Sequence, residues 1–243
     1  MGTIASVQPQ RSINEEERYE LFLDRAIHDL RACARQIGTS AEMLSESLQT
    51  DRTEEPDPYL RRIRAGVTGM NAILMAMGSY AVTLSPSNYT FRRVNLRTAL
   101  ASATARLRER IAAAHATIVE HDLPQVVGDA DRLSEVFQHL ISNALTYRSE
   151  AAPRIEVRAA REQNAWCITL QDNGMGFEPK YCRQVFVPFF RLHGPEVPGV
   201  GLGLAVSERI LNAHQGKLWI ESEKGSGTTC FFTLPAGDDQ TES

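Results

Sequence analysis

Apolar residues in the first third of the chain recur at Leu23, Ile27, Leu30, Ala34, Ile37, Ala41, Leu44 and Leu48, in steps of four and three. That alternation is the seam of a supercoiled helix. A second row follows at Leu60, Ile63, Val67, Met70, Leu74, Met77, Ala81 and Leu84. Between the rows, an acidic segment holding Pro56 and Pro58 breaks the helix, and Ser85-Pro86-Ser87-Asn88 stops the second row. Two seamed helices and a short loop predict an antiparallel hairpin over residues 14–88. One hairpin buries a single seam, and a second copy best covers the apolar surface that remains. The expected product is a dimeric four-helix bundle made by a homodimer. An intramolecular coiled coil packed on the rest of the chain is the alternative that the heptads leave open.

From about Phe91 the pattern changes to a second domain, expected over residues 91–236, with polar tails at 1–13 and 237–243. Helical periodicity covers Leu96–Ile111, Asp131–Tyr147 and Ala205–His214. Strand-like runs cover Ala116–Glu120, Ile155–Ala159, Trp166–Gln171, Lys217–Glu221 and Cys230–Leu234. Strands come in runs without regular βαβ alternation, which predicts helices on one face of a mixed sheet.

Composition narrows the classes. Hydrophobic content of 42% and charged content of 23% suit a globular protein, and a net charge of −4 argues against a general nucleic-acid binder. No run approaches the ~20 apolar residues of a spanning helix, so no membrane insertion is expected. The N-terminus lacks a charged-then-apolar signal pattern, which places the chain in the cytoplasm. Cys33, Cys167, Cys182 and Cys230 are scattered without metal-ligand spacing and read as reduced thiols.

Three segments carry candidate chemistry. Asp172-Asn173-Gly174-Met175-Gly176 follows a strand. It reads either as a hairpin turn or as a carboxylate placed to accept from an exocyclic amine such as that of adenine, with Gly174 and Gly176 letting backbone approach the ring. Gly199, Gly201 and Gly203 alternate before a helix, either as a flexible loop or as a phosphate cradle of backbone N–H groups. Asn143 sits on an otherwise apolar helix, where its carbonyl suits hard Mg²⁺ or a helix–loop hydrogen bond.

In order, Asn143, Asp172–Gly176, Phe186–Arg191, Gly199–Leu204 and Gly225-Ser226-Gly227-Thr228 resemble the ATP-binding domain shared by histidine kinases, type II topoisomerases and related ATPases. The segment from Phe186 to Gly216, with its Arg191-Leu192-His193-Gly194 lid, is similar to the phytochrome-like histidine kinases. That resemblance implies a two-layer α/β sandwich of the Bergerat type. It implies that Asn143, Asp172, Gly174, Gly176, the Gly199–Gly203 loop and Thr228 bind Mg-ATP, with Asn143 at the metal. The helix segment from Phe22 to Arg31 resembles the histidine box of the same kinases. His28 is then the phosphoryl acceptor and Asp29 its helper, because a neutral imidazole nitrogen is nucleophilic near pH 7 and a carboxylate orients the ring.

The implied function is an ATP-dependent histidine kinase core that autophosphorylates on His28 and passes the phosphoryl group to a response-regulator receiver aspartate. The chain departs from the family at four positions. Cys33 replaces a helix-bending proline, His139 the first Asn of an Asn pair, and Thr146 the common basic residue after it, for which Arg148 is a candidate substitute. Ala32 stands where many relatives have a polar residue used to dephosphorylate the partner, so weak phosphatase activity is expected. The alternative is a dimeric adaptor or pseudokinase with little ATP binding.

Overall fold

The computed structural model describes residues 15–49, 57–83, 89–192, 194, 197 and 199–236. The expected tails, the loop before Asp57, the Ser85–Asn88 stop and His193 of the lid lie outside the described residues. By packing, the chain divides into two units, Met1–Met70 and Asn71–Ser243.

The first unit holds helix α1 (Glu15–Gln49) and the first half of α2 (Asp57–Val82). Pro58 stands in the first turn of α2, where its fixed φ and missing N–H cost nothing. Gln36 Nε2 donates to the Arg62 carbonyl at 3.1 Å, Gly66 faces Ile37, and Gly69 faces Cys33. Partner numbers fall in α2 as they rise in α1, so the helices are antiparallel. A Cβ on Gly66 would lie 2.6 Å from Ile37 Cγ1. The glycine therefore permits the close approach. Helix α1 runs unbroken through Cys33, where relatives have proline.

The buried positions correct the expected seams. Phe22, Ala26, Ser40, Gly66, Ile73 and Tyr80 are buried, one residue away from alternate members of the predicted rows. Leu30, Ile37, Leu44, Ile63, Met70 and Met77 are half-buried. Leu23 is half-buried as well and Leu84 lies outside the described residues; the other eight members form two rows at seven-residue spacing, Ile27/Ala34/Ala41/Leu48 and Leu60/Val67/Leu74/Ala81, and all eight are exposed. Leu48 is 71% exposed and Leu74 52%. Small residues such as Ala26, Ser40 and Gly66 select the contact face, and a period of apolar residues does not register them. The exposed rows also make Pro58–Val82 long and apolar enough, by length and composition alone, to cross a membrane. The expectation that no segment qualifies fails there.

The second unit is a two-layer sandwich. Strands β2 (Thr117–Glu120), β4 (Arg154–Glu162), β5 (Ala165–Asp172), β7 (Gly227–Pro235) and β6 (Leu218–Glu223) lie in the order β2-β4-β5-β7-β6. Only β2 and β4 are parallel, so the sheet is mixed as expected. Helices α3 (Leu96–Arg106), α5 (Ala130–Thr146) and α6 (Gly203–Ala213) supply the helical layer. Strand residues alternate, so Ile155, Val157, Ile168, Leu170, Phe232 and Leu234 are buried with Phe137, Leu140, Ile141 and Ile210 of the helices. Phe137 and Phe232 meet edge to face at 5.7 Å. Each such side chain, fully buried, contributes roughly 1.5–3 kcal/mol. The predicted helix Leu96–Ile111 is two helices. Buried Leu107 (φ −100°, ψ 7°) separates α3 from α4 (Arg108–Ala113). Two four-residue strands, β1 (Arg92–Asn95) and β3 (Gln125–Gly128), pair antiparallel and were not predicted.

Candidate functional site

A cavity of about 280 Å³ opens in the second unit between α5, the ends of β5 and β7, and the start of α6. Its wall includes Asn143, Asp172, Gly176, Gly199, Gly201, Gly203 and Thr228. Seven of the ten predicted site residues are therefore brought together. Gly174 lies one layer behind the wall. His28 and Asp29 belong to the first unit.

Asp172 ends β5, and its Oδ1 accepts from Gly174 N–H at 2.8 Å and Thr228 N–H at 3.1 Å. Burial pushes its carboxyl up from the ordinary 3.8, while those two N–H groups pull it down less strongly. Two donors fix one oxygen and leave the other for a ligand. Asn173 does not form a hairpin turn. Its Oδ1 accepts from Arg154 N–H at 2.7 Å and its Nδ2 donates to the Ala152 carbonyl at 3.0 Å, tying the loop to the start of β4.

The glycines serve a different purpose from the one expected. A Cβ on Gly174 would stand 2.5 Å from the Tyr147 carbonyl, and one on Gly176 (φ +56°) 2.0 Å from the Glu223 carbonyl. The protein's own backbone fills that space, so a side chain at either position would keep the loop from closing. Gly201 (φ +76°) likewise faces the Phe190 carbonyl, at 2.8 Å, and its own carbonyl accepts from Phe189 N–H at 2.9 Å. Leu202 caps α6 without a side-chain hydrogen bond. The first N–H groups of α6 thus border the cavity with no side-chain cap, and an anion is favoured there.

Asn143 presents a carboxamide to the wall from α5. Among the described residues no group of three or more His, Cys, Asp or Glu could hold a metal by itself. A single oxygen donor beside a phosphate-sized cradle fits Mg²⁺, which keeps waters and takes phosphate oxygens as its other ligands.

Two wall residues escaped the sequence reading. Ala76 and Ser79 reach the cavity from the end of α2. Ser79 Oγ donates to Glu135 Oε1. Glu135 also receives Arg132 Nη1 at 2.8 Å, with His139 Nε2 3.6 Å away. Burial pushes the Glu135 carboxyl up, but His139, Ser79 and Arg132 outweigh it and hold the group at about 2, against an ordinary 4.5. A depressed folded-state value stabilises the fold above the unfolded value and loses that contribution as pH falls through the folded one. Stability should therefore drop between about pH 4.5 and 2, and Glu135→Gln should flatten that part of the thermal-midpoint profile.

Asp129, which follows a Gly as turn residues often do, does not lie on a surface turn. It is buried and caps α5, accepting at Oδ1 from Asp131 and Arg132 N–H and at Oδ2 from Thr90 N–H, 2.7 Å away. Its own N–H donates to His214 Nε2 at 2.9 Å, and His214 Nδ1 donates to the Ile210 carbonyl. Those bonds fix one neutral tautomer, in keeping with burial that lowers the His214 value.

On α1, His28 Nδ1 lies 3.0 Å from Asp29 Oδ1, and the His28 side chain is 75% exposed. The neighbouring carboxylate reaches the ring without a helix break. With Nδ1–H held by Asp29, the free lone pair is on Nε2.

Residues 128–238 match the family described as histidine kinase-, DNA gyrase B-, and HSP90-like ATPase. Cyanobacterial phytochrome A of Nostoc sp. is 33% identical over 218 residues, covering 89% of this chain and 28% of that protein. The phytochrome-like protein Cph1 of Synechocystis sp. is 32% identical over 215 residues, 88% of this chain and 28% of that protein. The chain thus spans 28% of the length of these two relatives. Histidine kinase ThkA, solved in complex with response regulator protein TrrA, superposes with a TM-score of 0.71 at 18% identity, over 93% of this chain and 66% of that one. At that identity the likeness is one of fold. The chain belongs to the sensor histidine kinases, as a kinase core whose α/β domain is an ATPase domain of the histidine kinase, DNA gyrase B and HSP90 type.

Proposed function

We propose that the chain is an autophosphorylating protein-histidine kinase core acting through His28. The observation that carries this reading is Asp172, a half-buried carboxylate in the cavity wall with one oxygen fixed by two backbone donors. It accepts the adenine amine while the triphosphate runs toward the N–H groups at the start of α6. Asn143 holds Mg²⁺, which when bound neutralises phosphate charge. His28 Nε2 attacks the γ-phosphorus, the bond to the β–γ bridging oxygen breaks, and ADP leaves. The imidazole becomes cationic as the N–P bond forms, and Asp29 at Nδ1 stabilises that charge or takes the proton. The phosphoryl group then passes to a receiver-domain aspartate. Calorimetric titration with Mg-ATP tests the nucleotide half. Saturable one-site binding is expected, and no binding is the outcome that the adaptor reading requires.

Homodimerisation accompanies this function. Two exposed heptad rows on antiparallel helices suit a four-helix bundle with a second copy. Leu74→Glu, combined with Leu48→Glu, both in the exposed rows, should give monomers by light scattering, whereas a surviving dimer would place the interface elsewhere. Ala32, four residues after His28 on the same helix face, offers no hydrogen bond to a water. Phosphorylated receiver mixed with this protein and ADP should therefore decay at its intrinsic rate.

A further inference from the structure

A triphosphate needs more positive charge than the cavity wall offers. Arg191 is the one Lys or Arg there among the described residues, and its Nη2 is spent on the carbonyls of Gly194 and Val197, bracing its own loop. Thr146 occupies the position where relatives carry a basic residue. Arg148 is exposed and absent from the wall.

A guanidinium from another element, though it does not line the cavity either, is bonded to two residues that do. Arg110 of α4 crosses to α5 and donates from Nη1 to Ser142 Oγ at 2.7 Å. Its Nη2 donates to Thr146 Oγ1 at 2.9 Å and to the Ser142 carbonyl at 3.4 Å. Ser142 and Thr146 both line the cavity; Ser142 directly precedes Asn143, and Thr146 lies three residues after it on the same helix. Thr146 donates its own hydroxyl to the Ser142 carbonyl at 2.7 Å, so its lone pairs are free to accept from Arg110. The break at Leu107 re-aims the chain just before Arg110. Of the five guanidinium N–H donors, three are engaged in these bonds. Ser142 keeps a hydroxyl hydrogen that can turn into the cavity.

We propose that Arg110 is the second phosphate-directed cation of this site, seated on Ser142 and Thr146 and acting on the polyphosphate of a nucleoside triphosphate. It replaces the charge missing at Thr146, and the preceding helix supplies it in place of the sequence neighbour Arg148. The inference rests on the nucleotide reading given above.

The test is a calorimetric titration of the whole chain with ATP, ADP and adenosine, each with Mg²⁺, at two salt concentrations. Arg110→Ala should weaken ATP binding about tenfold, the worth of one charge-assisted contact. Its effect on adenosine should stay within about twofold, and the loss for ATP should shrink at high salt. Arg110→Lys should recover part of the loss. Arg148→Ala and Arg106→Ala should match the unmodified protein, Arg106 being bonded to Gln138 outside the wall. Unchanged ATP affinity in Arg110→Ala, or an equal loss for adenosine, would overturn the proposal while leaving the nucleotide site standing. Failure of the unmodified chain to bind any of the three would overturn both.

Discussion

Asp172→Asn is expected to weaken ATP binding about ten- to a hundredfold at neutral pH, the ~1.5–3 kcal/mol of a hydrogen bond to a charged group. The carboxylate sits where its Oδ1 must accept from Gly174 and Thr228. An asparagine there keeps its oxygen on those two donors and turns its NH₂ to the cavity. That NH₂ then meets the adenine amine, donor against donor. Burial also raises the Asp172 value, and ligation by an amine favours the charged form. Affinity in the unmodified protein should therefore fall as the solution is acidified toward the raised value, above the ordinary 3.8. Asp172→Asn should show a flatter profile. Asp129→Asn provides the contrast. Its amide would face Thr90 N–H, again donor against donor, so it should lower the thermal midpoint while leaving the affinity of folded molecules intact.

His28→Gln should abolish phosphoryl incorporation from ATP while leaving nucleotide affinity unchanged. The imidazole is the only part of this pair that can form the N–P bond, and it lies outside the cavity wall. Asp29→Asn should leave slower labelling, by on the order of 10²-fold, within the range of a lost acid–base partner. The residue fixes Nδ1–H and supports the imidazolium. A carboxamide in its place neither takes the proton nor carries the charge. Equal labelling rates for Asp29→Asn and the unmodified chain would remove Asp29 from the chemistry.

Much of this arrangement was legible in the sequence, and the gaps have physical causes. Asn143, Asp172, the glycine loop and Thr228, singled out in the sequence because their residue types suit the parts of a nucleotide, line one cavity in the fold. The heptads located both helices but passed over Ser40 and Gly66, which carry no hydrophobic signal yet are buried. Strands β1 and β3, four residues each, carry polar or small residues at their ends (Arg92, Arg93 and Asn95; Gln125 and Gly128), leaving too few apolar positions to register as strands. The split at Leu107 has no Gly or Pro to announce it. Asp129 reads as a turn residue, and only the fold shows that it is a buried cap bonded to His214, far along the chain. Arg110 was invisible for the same reason. Nothing local marks an arginine whose anchors are 32 and 36 residues away.

The central claim is that a nucleotide held beside Asp172 phosphorylates His28. Incubating the unmodified chain with ATP labelled in the γ-phosphate tests it most directly, with the labelled peptide mapped by mass spectrometry. A phosphoramidate survives alkali but hydrolyses in acid, because protonation makes the imidazole a good leaving group. The account predicts acid-labile, alkali-stable label on the peptide containing His28. A chain that binds Mg-ATP to saturation yet gains no label, or gains acid-stable label elsewhere, would contradict it.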